Sequence, residues 1–243
     1  MPESLKEWLR WMLRRKGWDL HRFLPTLSAD AQLIALLGRL HIETVLDVGA
    51  NTGQYAQLLR KLGYQGHILS FEPQAKAHAA LTAAAQLDKN WQVAPRTALG
   101  AAPGTATLNI AGNSASSSLL PMLDRHRAAA PTSAYIGTED VPLARLDDAA
   151  ANATGQIHLK IDTQGFERQV MAGAPKTLAR AASVQLEVSL VPLYADAILA
   201  QALMAEMADA GFIPAALWPG FADAKGQILQ IEIIFTRDQE MAP

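Results

Sequence analysis

Thr44-Val-Leu-Asp-Val-Gly-Ala-Asn-Thr-Gly-Gln54 decides how the chain is read. Val45, Leu46 and Val48 form a short apolar, partly β-branched run, the pattern of a strand buried in a parallel sheet. Gly49-Ala-Asn-Thr-Gly53 breaks the run, and Tyr55-Ala-Gln-Leu-Leu-Arg-Lys-Leu62 then places apolar residues at helical spacing. A strand, a glycine turn and a helix start together make a place for a ligand's polar groups. Glycine lets the backbone come close, and the first turn of a helix offers unpaired N–H groups.

The ligand is narrowed by what surrounds the turn. A nicotinamide fingerprint aligned on Gly49 would need glycine at Asn51 and at or near Gln54, and neither is glycine. No Gly-Lys-Ser/Thr follows, so a P-loop is excluded. Asp47 stands just before the turn, and a carboxylate at a strand end suits a ligand with positive charge close by. S-adenosylmethionine, with an ammonium and a sulfonium, is such a ligand. His67-Ile-Leu-Ser-Phe-Glu-Pro73 reads as the next strand, ending in an acid about twenty residues on, where nucleotide-binding βαβ units hold the ribose. Glu72 can accept from both ribose hydroxyls, and Pro73 stops the strand so that the carboxylate stays at its tip.

Four blocks, Asp47-Val-Gly-Ala-Asn-Thr-Gly-Gln54, Phe71-Glu-Pro73, Ala98-Leu-Gly100 and Leu159-Lys-Ile-Asp-Thr-Gln-Gly-Phe-Glu167, resemble the FkbM-type S-adenosylmethionine-dependent methyltransferases in order and spacing. The resemblance runs from roughly residue 42 to residue 236. It implies an α/β, Rossmann-like class I methyltransferase fold: a mostly parallel seven-stranded sheet, helices on both faces, the last strand antiparallel. It implies S-adenosyl-L-methionine as cofactor, held by Asp47, Gly49, Asn51, Thr52, Gly53, Gln54, Glu72, Pro73, Ala98 and Leu99. It also implies a loop over the donor site with Asn113, Ser114, Ser116, Ser117 and Ser118 near donor or acceptor, and O-methylation of a hydroxyl on a sugar, glycan or related secondary metabolite. On the acceptor side stand Ser116, Ser117, Ser118, Gln164 and Glu187.

Asp47, Glu72, Asp162 and Glu187 all fall at or near the carboxyl ends of expected strands, where ligands bind in open α/β sheets. Asp162 is the candidate general base or acceptor orienter, and Lys160 lies on the same side of its strand. Many relatives of this type carry Glu where this chain has Gln164. The missing charge weakens any metal site, and no metal is expected. The six histidines show no ligand spacing, and His126 alone falls in the loop, as a second candidate base. Two rival readings differ in class. A nicotinamide oxidoreductase is opposed by Asn51 and Asp47. A non-catalytic protein could keep the donor fold, attached to membrane through residues 1–23.

The chain has 243 residues, half of them apolar, with mean hydropathy +0.06, ample for one α/β domain with a sizeable core. Net charge is −2 and the pI about 6.3, so nucleic acid is not an expected partner. The absence of cysteine excludes disulfides and thiolate metal sites and fits a cytoplasmic protein. Neither a signal peptide nor a membrane span is read.

In chain order, residues 1–23 read as a basic helix with Trp8, Trp11 and Trp18 as its apolar surface, packed on the domain or on a second copy in preference to a membrane. A second helix is expected from Ala29 to Leu37, capped by Ser28 and stopped at Gly38. Residues 1–40 thus form a helical extension to a methyltransferase domain at 41–238. Strands are expected at 44–48, 67–72, 91–98, 105–110, 157–162 and 184–188, with a pair at 213–218 and 228–236. Helices are expected at 75–87, 166–171 and 197–210, and a short one opens at Pro175. Residues 112–137 read as a long polar loop, and Asp140 to Asp148 as a strand entering a turn, its aspartates capping turn or helix.

Overall fold

The computed structural model describes residues 5–237. Its strands are β1 (Thr44–Val48), β2 (His67–Phe71), β3 (Trp91–Val93), β4 (Ala98–Leu99), β5 (Gly104–Ala111), β6 (Tyr135–Ala144), β7 (Ile157–Ile161), β8 (Ala181–Ser189), β9 (Phe212–Pro219) and β10 (Gln230–Arg237). The helices are α1 (Leu5–Arg14), α2 (Ala29–Arg39), α3 (Gln54–Lys61), α4 (Ala75–Ala85), α5 (Asp124–Ala129), α6 (Leu146–Ala149), α7 (Glu167–Ala172), α8 (Pro175–Arg180) and α9 (Ala200–Asp209).

The main sheet has seven strands in the order β3-β2-β1-β7-β8-β10-β9. It is parallel except for β10, which runs antiparallel to both β8 and β9. The order reverses at β1, where β2 pairs on one side and β7 on the other, with Asp47 beside Lys160 and Val48 beside Ile161. Such a reversal opens a crevice at the carboxyl ends of the central strands. Alternate residues of β1 feed the two faces. Val45 packs with Leu33, Leu36, Leu37, Leu59 and Leu81, while Leu46 and Val48 pack with Leu159, Ile161, Val170 and Leu203. Burial on both faces is what gives β1 and β7 their continuous apolar character. A smaller sheet, β4-β6-β5, stands beside the main one.

Several expectations change at element ends. The strand expected over 91–98 stops at Val93, because Pro95 has no N–H to donate, and Ala98-Leu99 pairs instead with β6 in the smaller sheet. Gly38 lies inside α2; the helix ends at Arg39 with Leu40 as its cap, and His41 takes the left-handed conformation after it. The expected N-terminal helix is shorter. α1 ends at Arg14, and Gly17, at φ 82°, turns the chain back, with Trp18 N–H donating to the Leu13 carbonyl. Residues 1–4 of that expectation lie outside the described residues. α2 is no appendage, since its leucines join the core of the main sheet.

The segment between β5 and β6 is no loose excursion. It contains α5 and a short 3-10 turn at Pro131–Ser133, and Met122 packs with Leu193, Tyr194 and Leu229. Beyond β6, Asp147 caps a neighbouring helix. It accepts from Thr177 N–H (2.8 Å), Lys176 N–H (3.1 Å) and the Thr177 hydroxyl (2.9 Å) at the start of α8. Burial alone would raise the Asp147 pKa, but these donors and Arg145 outweigh it and hold the carboxyl below its usual range. Such a group stabilises the fold above the ordinary carboxylate range and loses that contribution as the pH falls. Asp147→Ala should therefore cost about 1–2 kcal/mol in urea unfolding near neutral pH. The gap should narrow in acid, and Asp147→Asn should recover part of it. An unchanged midpoint for the alanine variant would remove the cap from the account.

Candidate functional site

The crevice at the strand reversal is a cavity of about 340 Å³. Its floor is the turn after β1, from Gly49 to Asn51. Gly49 is held at φ 79°, and a Cβ there would lie 1.8 Å from the Asp162 carbonyl oxygen. Only glycine lets the turns after β1 and β7 approach so closely. Asn51, at φ 46°, continues the turn, and Gly53, at φ 89°, opens α3 against Trp91 and Leu81.

Glu72 follows β2 and lines the cavity. Its two oxygens accept from Asn51 N–H and Gln74 N–H, both at 2.8 Å, so it clasps the turn from the side. Burial pushes its pKa up to about 7, against the pull of those amides. A carboxylate has about four acceptor positions, and the backbone uses only part of them. Pro73, Thr97, Ala98 and Leu99 continue this wall, with Phe71 and Leu58 adding apolar surface.

The opposite wall belongs to β7 and the turn behind it. Lys160, Asp162, Thr163, Gln164 and Phe166 line it. The Lys160 ammonium is buried, 3.5 Å from Asp47 Oδ1 and 3.5 Å from Asp162 Oδ2. Burial would lower its pKa, but Asp162, Asp47, Glu232 and Glu187 outweigh that and raise it. Gln164 Nε2 donates to Asp162 Oδ1 and to Glu187 Oε2, both at 2.7 Å, and Gln164 Oε1 accepts from the Tyr194 hydroxyl at 2.8 Å. Burial, followed by the charge of Asp162, lifts Glu187 well above the ordinary carboxylate range. Behind the wall, Glu167 folds the turn on itself by accepting from Thr163 N–H and Gly165 N–H, each at 3.0 Å.

The roof is the segment after β5. Ser114, Ala115, Ser117, Ser118 and Leu119 face the cavity. The Ser114 hydroxyl donates to Asn51 Oδ1 (3.3 Å), and the Ser118 hydroxyl to the Gln164 carbonyl (2.8 Å), so the roof touches both turns.

The structure thus brings Gly49, Asn51, Gln54, Glu72, Pro73, Ala98, Leu99, Ser117, Ser118, Lys160, Asp162 and Gln164 to one cavity. It does not bring Asp47, Thr52, Gly53, Ser116 or Glu187 onto the lining. Asp47 is fully buried under the turn, paired with Lys160 and accepting from the Ser70 hydroxyl at 3.2 Å. Glu187 reaches the wall only through Gln164, and Ser116 is buried within the roof, its hydroxyl accepting from Asn113. His126 packs edge-on to Tyr194 with ring centroids 5.0 Å apart and lies off the lining. Among the described residues, no group of three or more His, Asp or Glu is arranged to hold a metal ion.

Tyr55 and Glu232 also line the cavity, and sequence reasoning missed both. The Tyr55 hydroxyl donates to Gln185 Oε1 (2.8 Å), Gln185 Nε2 donates to Glu232 Oε1 (2.6 Å), and the Lys160 ammonium lies 5.4 Å from the Tyr55 ring centroid. An acid in the middle of Gln230-Ile-Glu-Ile-Ile-Phe235 was the available signal for Glu232.

Chemically, one wall offers a buried carboxylate and apolar surface, suited to a nucleoside's hydroxyls and base. The other offers a fixed carboxylate–ammonium pair.

A family model described as the methyltransferase FkbM domain matches residues 47–214, well over half of the chain. No curated protein matches it. Among solved structures, magnesium protoporphyrin IX methyltransferase from Synechocystis PCC 6803 is 12% identical, with a TM-score of 0.48, over 96% of this chain and 92% of that one. The 1,6-didemethyltoxoflavin-N1-methyltransferase of Burkholderia thailandensis is 16% identical, with a TM-score of 0.46, over 87% of this chain and 77% of that one.

The raised pKa of Glu72 gives a pH test of its placement. A nucleoside diol needs an accepting carboxylate, so binding favours the ionised form and should strengthen as pH rises through about 7. Calorimetry with S-adenosylhomocysteine should show affinity up to about tenfold higher at pH 8 than at pH 6. Glu72→Gln should bind more weakly and flatten that profile. A pH dependence that survives the substitution would assign it to another group.

Proposed function

We propose, for a chain that belongs to the FkbM methyltransferase family and is an S-adenosylmethionine-dependent methyltransferase, that the acceptor is a hydroxyl on a sugar, glycan or related secondary metabolite. The observation that carries this reading is Asp162. Its carboxylate stands on the cavity wall with its side chain 32% exposed, one oxygen fixed by Gln164 and the other beside Lys160. A hydroxyl acceptor needs a group that takes or orients its proton, and Asp162 retains acceptor positions for it.

The residues present fit the donor. Glu72 can accept from its ribose hydroxyls, and Phe71, Ala98 and Leu99 supply apolar wall for its base. Asn51 and Gln54 offer polar groups at the start of α3. The donor supplies a methyl carbon already made electrophilic by its sulfonium, so the protein's part is alignment. Orientation of this kind can supply up to about 7–11 kcal/mol. Asp162 would receive the hydroxyl proton as the acceptor oxygen takes the donor's methyl group, and the donor would leave as S-adenosylhomocysteine. The products are a methyl ether and S-adenosylhomocysteine. Gln164 and Lys160 keep the Asp162 carboxylate in place, and the serines of the roof line the same space. A nicotinamide reaction is set aside by the family.

Release of S-adenosylhomocysteine with a panel of sugars and glycans tests the acceptor class; transfer confined to amines would overturn it. Asp162→Asn keeps the shape and removes the basic oxygen. Turnover should fall about 10²–10⁴-fold while donor affinity and melting temperature hold. Weakened donor binding with turnover intact would move Asp162 to the cofactor side. Early melting with both functions intact would make it a structural residue.

A further inference from the structure

The donor cavity makes no use of the N-terminal segment. In α1, Trp8, Leu9, Trp11 and Met12 follow the i, i+1, i+3, i+4 spacing of one helical face, while Lys6, Arg10 and Arg14 occupy the other. Among the described residues nothing covers the apolar face. Trp8 is 46% exposed, Trp11 51% and Trp18 70%, and Leu20, Phe23 and Leu27 are each more than half exposed. No side chain from residue 6 to residue 30 is buried. The expectation that the tryptophans pack on the domain therefore fails.

Charge indicates what covers this face. Residues 6–27 carry six basic side chains, Lys6, Arg10, Arg14, Arg15, Lys16 and Arg22, against Glu7 and Asp19, in a chain whose net charge is −2. Asp19 is already engaged by Arg14 at 3.0 Å and by His21 at 3.1 Å. The Arg15 guanidinium lies 4.9 Å from the Trp11 ring centroid, so cation and aromatic share one surface. Tryptophan on the apolar side and arginine or lysine on the polar side is the chemistry of a helix lying in a lipid interface. A second copy is the poorer match, because a two-fold contact could cover the apolar face but would bring no anionic partner for the excess of basic side chains, which an anionic lipid surface supplies. Among the described residues no helix is long and apolar enough to cross a membrane. We propose that residues 5–27 bind an anionic lipid surface, lying on it without spanning it.

The test uses the full chain with vesicles of equal parts phosphatidylcholine and phosphatidylglycerol, and with pure phosphatidylcholine. The protein should float with the anionic vesicles. Partitioning should be at least about tenfold weaker on neutral vesicles and should fall with added salt, since each cation near an anionic surface contributes roughly fivefold. Trp8→Ser with Trp11→Ser should weaken it about tenfold or more, and so should Arg10→Glu alone. S-adenosylhomocysteine binding should be unchanged in both variants, which shows that the fold is intact. Protein that stays in solution with anionic vesicles would overturn the proposal. So would a dimer, seen by light scattering, that the tryptophan substitutions dissolve while vesicle binding is absent.

Discussion

The ammonium of Lys160 holds the site together. It sits between the tips of β1 and β7, 3.5 Å from a carboxylate on each side. A buried cation is costly to desolvate unless paired, and Asp47 and Asp162 supply the pairing. The relation is mutual, because Asp47 is fully buried and, among the ionic groups of the described residues, pairs with Lys160. Removing one partner of the buried Asp47–Lys160 pair would cost about 3–5 kcal/mol, since the other charge is left uncompensated, whereas Asp162 is partly exposed and water can take over its share of the pairing. The pair draws together the two strands whose order reverses, and Gly49 completes the approach by offering no Cβ to the Asp162 carbonyl. Site and fold thus share one constraint: the crevice exists where these strand ends are pulled into contact.

The fold was legible where burial on both faces imposes a pattern. β1, β2 and β7 announce themselves by apolar runs ending in a turn or proline, and a seven-stranded, mostly parallel sheet with the last strand antiparallel followed from the family resemblance. The smaller sheet was less visible. Ala98-Leu99 reads as the tail of β3, and only pairing with Leu143 and Ala144 makes it a separate strand. Much of the site was visible too, because Glu72 and Asp162 stand at strand ends that the sequence marks. Asp47 stands at a strand end as well, but its carboxylate is turned under the sheet surface toward Lys160. Type and position in the chain do not distinguish an acid that lines the cavity from one that meets a buried lysine. Glu232 escaped notice for a topological reason: β10 inserts between β8 and β9, which brings a residue near the chain's end to the cavity.

The roof links the two turns that border the cavity. Ser114 bonds to the turn that follows β1, and Ser118 to the turn that follows β7. Tyr194, far along the chain, reaches the same region by donating to the Ser116 carbonyl (3.3 Å) and to Gln164 (2.8 Å). A displacement of the roof would therefore be felt at both turns together. The polar character that made residues 112–119 look like loose surface reflects hydroxyls spent on backbone and side-chain partners. Composition alone does not separate a solvated loop from a wall whose polar groups are satisfied internally.

Gln164 resolves the charge problem that this geometry creates. Asp162 and Glu187 approach one another across β7 and β8, and Glu232 faces Glu187 in the pairing of β8 with β10. Burial and mutual repulsion already push Glu187 well above its ordinary range, and burial raises Glu232. A glutamate at position 164 would set a third carboxylate against Asp162 and Glu187, and such a cluster needs an extra proton or a cation to persist. The amide gives each of the two acids a hydrogen at 2.7 Å instead, and its own oxygen is satisfied by Tyr194. One neutral side chain thereby fixes the orientation of Asp162 without adding a charge to the cluster. The Asp162 carboxylate is held by a hydrogen bond on one side and by Lys160 on the other.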